Sequence, residues 1–468
     1  MNRAQAFAAN APLMGVPGAS SPPGGKGDWY RGAGGMRLRA ALWTPSHLTA
    51  EKPRGTVVLS PGRTEPIEKY FEVIGNFLAR GWCVLAHDWR GQGLSARLLP
   101  DRLKGHARAV EEFLDDYGRL LDAFEDQCPK PWIMVGHSMG ACLNLLSLEA
   151  GESRFSGAVL SSPMLRIKTG KRSMWSVKLA VRWNIRHGHA GDYILGDPDD
   201  PFDHTFAEDA LTSDEARYEM WRQQLYACPH LAIGGPTYGW LAFALDAGER
   251  ALKPKALKAV KIPVAIVQAD NDDVVWKQTN RWAAKRLGRG RYVEVPGALH
   301  EVIMEADDKR AVFLDEFDAM ADYVSPIPPP APRTSPKRRR PWPRVDGLED
   351  VLKQGQEGPD GGIGPAAFRP ERRDVVALDG VFGQDRNQLA ARHIGGCDKG
   401  RAQADAAAGH QGGEHRLADI HDDSGRRDDL DLPLADLERP AKNLTAALVA
   451  EIDGVVLGQG VRMDRRAP

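Results

Sequence analysis

At about 150 residues per domain, a chain of 468 residues has room for three domains. Its 62 basic and 63 acidic side chains leave a formal charge of -1, which excludes the global positive field of a generic nucleic-acid binder. Apolar residues make up 42% but nowhere run for the roughly 20 positions a membrane-spanning helix needs; five cysteines, an odd number without C-x-x-C spacing, argue against a zinc site or disulfide framework and for a reducing, cytoplasmic compartment.

Residues 1–27 carry one early charge, Arg3, and an apolar stretch broken by Asn10 and Pro12, too interrupted for a secretory segment. A flexible lead-in is expected there. From Met36, short apolar runs alternate with helix-length amphipathic segments: the strands MRLRAALW and GTVVLSPG, the helix IEKYFEVIGNFLARG, the strand WCVLAHDWRG, the helix HARAVEEFLDDYGRLLDAF, the strand PWIMVGH, a helix from Ser138 and the strand SGAVLSSP. That rhythm predicts parallel βαβ units. It stops after Pro163. Residues 164–258 read as helices and turns around the breaker cluster GDPDDPFD, and the rhythm resumes with KIPVAIVQAD, a helix from about Trp276, RYVEVPG and the helix DDKRAVFLDEFDAMADYV. The expected architecture is α/β: a core over 28–163 and 259–325 with a mostly parallel central sheet flanked by helices, and a helical cap inserted over 164–258.

Residues 326–345, rich in proline and carrying the self-repelling run Lys337 to Arg340, read as a linker whose cations are solvated. Beyond it, residues 346–468 are Gly- and Ala-rich with few hydrophobic residues. From 326 onward the chain has 18 Arg against four Lys and 17 Asp against six Glu, with only Trp342, Phe368 and Phe382 as aromatics. Two readings stand: a disordered appendage, or sequence appended by a frame or gene-boundary error and never selected to fold. No solenoid-length repeat is present.

The segment PWIMVGHSMGACLNLLSLEA holds Gly136-His137-Ser138-Met139-Gly140, a G-x-S-x-G at a strand-to-helix turn. A turn this tight forces strained backbone angles on the serine and needs small neighbours, and it lifts the hydroxyl above the sheet edge at a helix N-terminus. Ser138 is the candidate nucleophile. A serine hydroxyl needs a base, and His300 in VEVPGALHEVIMEAD follows the last core strand on the same carboxyl edge. His137, His87 and the cap histidines His187, His189, His204 and His230 are weaker candidates. The acid that orients the imidazole comes from VAIVQADNDDVV, where Asp272 at the loop tip leads and Asp270 and Asp273 stay open. Oxyanion donors are expected from the backbone N–H of Met139, after the nucleophile, and of Arg63, in the turn after GTVVLSPG. His187, His189 and Asp192 have metal-ligand chemistry but read as surface residues. No metal and no cofactor are expected.

GHSMG, the turn DWRGQGLS, the acid loop and GALH together resemble the α/β-hydrolase superfamily, in particular bacterial lysophospholipases and monoacylglycerol lipases. The resemblance is closer to the lysophospholipase branch: Pro61-Gly62-Arg63-Thr64-Glu65 with Lys69-Tyr70, and LTSDEARY and GGPTYGW in the cap, look like that branch, while the His-Gly-x-Gly-Glu-His pattern common in monoacylglycerol lipases is absent. It covers about Trp29 to Tyr323, with one departure, Ala269 where the related acid loop often has Gly. The resemblance implies Ser138, Asp272 and His300 as triad, N–H groups of Arg63 and Met139 as oxyanion donors, and hydrolysis of a single-chain glycerophospholipid to fatty acid and glycerophosphodiester. Monoacylglycerol lipase, general carboxylesterase and acyltransferase activities remain alternatives, as does a catalytically silent binding module; epoxide hydrolases and haloalkane dehalogenases need Asp at the elbow.

Between Ser153 and Gly191 eight basic residues meet no acid, a local field that the net charge conceals. On a helical wheel Met174, Val177, Val181 and Ile185 form one apolar row and Trp175, Leu179 and Trp183 another, with Lys178, Arg182 and Arg186 beside them. Either the tryptophans pack the cap on the core and the cations are solvated, or this face contacts substrate or the anionic inner face of a membrane. The partners expected are thus a lipid monoester and peripheral lipid, with no nucleic acid and no obligate protein partner.

Overall fold

The computed structural model describes residues 10–46, 52–208 and 211–326. The linker beyond Pro326 and the tail over 346–468 lie outside the described residues. Eight strands form one sheet in the order β1-β2-β4-β3-β5-β6-β7-β8: β1 (Lys26–Arg31), β2 (Arg37–Trp43), β3 (Gly55–Ser60), β4 (Trp82–His87), β5 (Trp132–His137), β6 (Phe155–Ser161), β7 (Val264–Ala269) and β8 (Gly290–Val295). β1/β2 and β2/β4 pair antiparallel, and every other neighbour pairs parallel. β3, β4, β5 and β7 are buried at every position, which is why they read as unbroken apolar runs: both faces are covered.

On one face lie α1 (Phe71–Ala79) and α9 (Asp307–Val324), packing Phe77 against Phe317 with ring centroids 4.5 Å apart. On the other lie α2 (Val110–Phe124), α3 (Ser138–Glu149) and α8 (Lys277–Ala284). The inserted segment contains α4 (Met174–Arg186), α5 (Glu215–Ala227), α6 (Tyr238–Ala251) and α7 (Pro254–Ala259). Side chains of Ser173, Asp214 and Thr237 cap α4, α5 and α6. The expected cap boundary at 258 is too late. α6 buries Phe243, Ala244, Ala247 and Ala251 in the same cluster as α2 and α3, with Phe243 stacked on Phe113 at 4.5 Å, and Gly248 lies so close to the Leu165 carbonyl that a Cβ would sit 2.3 Å from it. α6 is therefore a core-layer helix.

Two further departures lie at the N-terminal edge. β1 was not anticipated; it forms a hairpin with β2 through Gly34 and Gly35, both at positive φ, and Arg37 stacks on Trp29 at 3.8 Å. The expected flexible lead-in is held from Ala11 on. Its amide donates to Gly27 O (2.8 Å), the Met14 amide to Glu68 Oε1 (3.0 Å), and Pro12 O accepts from Arg39 Nη1 (2.9 Å). Arg39 is itself buried between Glu68 (2.6 Å) and Asp88 (2.7 Å), so polar anchoring rather than a periodic apolar face fixes this segment.

Candidate active site

β5 ends at His137 and α3 begins at Ser138, whose φ of 48° is rare for a residue with a side chain. The flanking glycines are required by space: a Cβ at Gly140 would lie 2.4 Å from the carbonyl oxygens of Ser60 and Pro61, and one at Gly136 2.9 Å from the Ala141 backbone. The end of β3 thus lies directly against the first turn of α3, where amide N–H groups have no intrahelical acceptor.

His300, in the loop after β8, brings Nε2 to 2.9 Å from Ser138 Oγ and Nδ1 to 2.8 Å from Asp272 Oδ2. Asp272, in the loop after β7, also accepts at Oδ2 from Gln268 Nε2 (2.8 Å) and at Oδ1 from the amides of Val274 and Val275 (2.9 Å each). Burial works against its charge, but the hydrogen bond and charge of His300 and the two amides outweigh it and hold the carboxyl below its ordinary value. The other two aspartates face elsewhere: Asp270 pairs with Lys277 (2.5 Å) and Asp273 with Lys168 (3.1 Å). Ser138, Asp272 and His300 are all buried, so the hydrogen-bonded chain from hydroxyl to imidazole to carboxylate lies out of bulk water.

Arg63 and Met139 border one small cavity. Among the described residues the Arg63 amide donates to nothing, although its loop is pinned on both sides: the Gly62 amide donates to Glu65 Oε2 (2.6 Å), the Thr64 amide to Gln92 Oε1 (3.1 Å), and Gln92 Nε2 to Gly62 O (2.9 Å). An ester oxyanion between these loops would find preset donors.

Sequence reasoning missed the buried ion network beneath this loop. Lys69 Nζ bridges Glu65 Oε1 (2.9 Å) and Glu301 Oε1 (2.5 Å), and Tyr70 OH donates to Glu65 Oε2 (2.5 Å). Because Glu301 follows His300 directly, this cation couples the loop after β3 to the loop carrying the imidazole. Burial opposes the Glu65 charge, yet Lys69, His137 and the Tyr70 hydroxyl bring it down to about 2. Glu65, His137 and Glu301 place ligand atoms within 4.8 Å of one another, but the Lys69 ammonium already stands between the carboxylates, so a divalent ion would have to displace it. Burial pushes His137 down to about 4, leaving it uncharged beside His300 at a ring separation of 4.9 Å. His189 and Asp192 are exposed and pair with each other at 2.8 Å.

On α4 only Val181 is buried. Trp175 is 61% exposed and Trp183 49% exposed, so the reading in which these rings pack the cap onto the core does not hold. Lys178 pairs with Glu249, while Arg182 and Arg186 are exposed. No helix among the described residues is long and apolar enough to cross a membrane.

A serine at a strand-to-helix elbow, met by histidine and aspartate from later strand ends of a mostly parallel sheet, defines an α/β-hydrolase. The profile of the family described as serine aminopeptidase, S33, matches residues 51–307, more than half of the chain, and the chain belongs to that family. It is 31% identical over 288 residues to lysophospholipase L2 of Escherichia coli K12, covering 58% of this chain and 80% of that protein. It is 28% identical over 283 residues to a monoacylglycerol lipase of Mycolicibacterium smegmatis, covering 60% and 91%. Among solved structures, a soluble variant of Saccharomyces cerevisiae monoglyceride lipase superposes with a TM-score of 0.53 at 17% identity, covering 67% of this chain and 99% of that one, a likeness of fold alone.

Proposed function

We propose that the protein is a serine hydrolase of carboxylic esters of single-chain lipids, with lysophospholipid as the preferred substrate. The observation that carries this reading is the continuous hydrogen-bonded chain from Ser138 Oγ through His300 to Asp272. In it Ser138 attacks the ester carbonyl as His300 Nε2 takes its proton, and Asp272 stabilises the imidazolium. The oxyanion is met by the amides of Arg63 and Met139. His300 then protonates the glycerol oxygen, which leaves, and water activated by the same imidazole releases the fatty acid from the acyl-enzyme. The names of the relatives support lipid monoesters, and the absence of the His-Gly-x-Gly-Glu-His pattern favours the phospholipid over the glyceride.

The test is fatty-acid release from a lysophospholipid, a monoacylglycerol and a short-chain ester at matched concentrations. Fastest release from the lysophospholipid is expected; equal rates on all three would remove the substrate assignment.

The exposed tryptophans of α4, beside Arg182 and Arg186, support docking of this face on an anionic lipid surface, which would bring monomeric lipid to the cap. Lys178→Glu, Arg182→Glu and Arg186→Glu together are expected to lower binding to anionic vesicles at least tenfold, with little change for zwitterionic ones. Unchanged sedimentation with anionic vesicles would end this proposal.

A further inference from the structure

Among the described residues, no carboxylate pairs with the guanidinium of Arg63, in the loop after β3. Arg63 Nη2 donates to the cap carbonyl of Gly234, while Nε is buried without an acceptor. The indole of Trp240, whose centre lies 5.2 Å from the guanidinium carbon, buries its Nε1–H without an acceptor as well. Both residues line the small cavity that Met139 also borders, one residue from Ser138. Acids described nearby have other partners: Glu65 is bound by Lys69 and Tyr70, Asp116 and Glu112 by Arg90, and Asp199 lies 2.9 Å from His204. Burial drives the Arg63 guanidinium down to about 10, and Asp199 offsets that only in part. Buried donors are nearly always paired, with protein, water or ligand, and a buried cation with little compensation is unfavourable, so two such groups on one cavity make it a place where an acceptor oxygen is favoured.

The cavity measures about 10 Å³, room for one water. Ile233 lines it, and the Gly234–Gly235 segment that follows is held by the Leu103 carbonyl and the Gly105 amide through hydrogen bonds of 2.8 and 3.0 Å. The Gly234 carbonyl oxygen occupies the position of an acceptor on the guanidinium fork. We infer that Arg63 and Trp240 Nε1 form the subsite for the phosphodiester of the substrate, whose oxygens replace the Gly234 carbonyl as the cap segment gives way. The inference rests on the proposed lipid-ester hydrolysis at Ser138. Arginine suits the task because its planar fork donates to two phosphate oxygens at once. A monoacylglycerol has a neutral hydroxyl in this position and leaves the cation unpaired.

The test compares kcat/KM for a 1-acyl-glycerophosphodiester and a monoacylglycerol of the same chain length in wild-type protein, Arg63→Gln, Arg63→Lys and Trp240→Phe. All variants keep the backbone amide of residue 63, so a general loss of turnover cancels in the ratio of the two substrates. That ratio is expected to fall roughly 10- to 100-fold in Arg63→Gln, and less in Arg63→Lys and Trp240→Phe. Inhibition of monoacylglycerol hydrolysis by the deacylated glycerophosphodiester is expected to weaken in parallel. An unchanged ratio overturns the inference, as does inhibition by inorganic phosphate that disappears in Arg63→Gln while the ratio stays fixed. A wild-type protein inactive on both lipids would instead overturn the functional reading, so the two failures are distinct.

Discussion

Ser138→Ala is expected to reduce kcat for lysophospholipid hydrolysis by roughly 10³- to 10⁶-fold while leaving lipid binding near the wild-type level. The substitution deletes one oxygen, the partner of His300 Nε2 at 2.9 Å, and leaves the His300–Asp272 pair and the amides of Arg63 and Met139 in place. What survives is stabilisation of charge without a nucleophile, so water must attack directly. Alanine at φ 48° carries the same backbone strain as serine, and the fold should not change. Fatty-acid release together with labelling by a fluorophosphonate checks this: the wild type is labelled once and the variant not at all. Residual activity above about 1% would place the nucleophile elsewhere.

Asp272→Asn is expected to lower kcat at neutral pH by about 10⁴-fold, with Asp270→Asn and Asp273→Asn within a few-fold of wild type. All four groups on the Asp272 carboxylate are donors: His300 Nδ1, Gln268 Nε2 and the amides of Val274 and Val275. An asparagine must turn its own N–H₂ toward two of them. If it faces His300, the imidazole flips tautomer and presents N–H rather than a lone pair to Ser138; if it faces Val274 and Val275, the loop shifts. Neither orientation stabilises an imidazolium. The other two aspartates serve Lys277 and Lys168 at a partly exposed surface, where ion pairs contribute little. Rates for the three variants at one pH decide the point, and an Asp270→Asn loss as large as that of Asp272→Asn would refute the assignment.

The parts of the molecule legible in the sequence are those where local chemistry and burial coincide. β3, β5 and β7 are largely apolar runs because helices cover both faces, and Ser138 directly after β5, with Asp272 and His300 in the loops after β7 and β8, stand at strand ends that define one edge. The choice among Asp270, Asp272 and Asp273 needed geometry, since three acids in four residues differ only in where their side chains turn. β1 was hidden because its pairing partner, β2, supplies the pattern and Gly34–Gly35 the turn. The role of α6 was hidden for a different reason: a stripe of Phe243, Ala244 and Ala247 marks a buried face but not what covers it. Lys69 and Glu301 meet across 232 residues of chain, a separation no local pattern encodes.

His300 follows the strand at one edge of the sheet, and 162 residues separate it from Ser138. A growing polypeptide therefore carries its elbow serine long before the imidazole that would activate it has been made, and the inserted helices are translated in the interval. Until β8 docks on β7 the hydroxyl is an ordinary alcohol. Strand order thus sets a sequence of events: until the last strand and the loop after it have been made, the chain lacks the imidazole that the proposed chemistry at Ser138 needs.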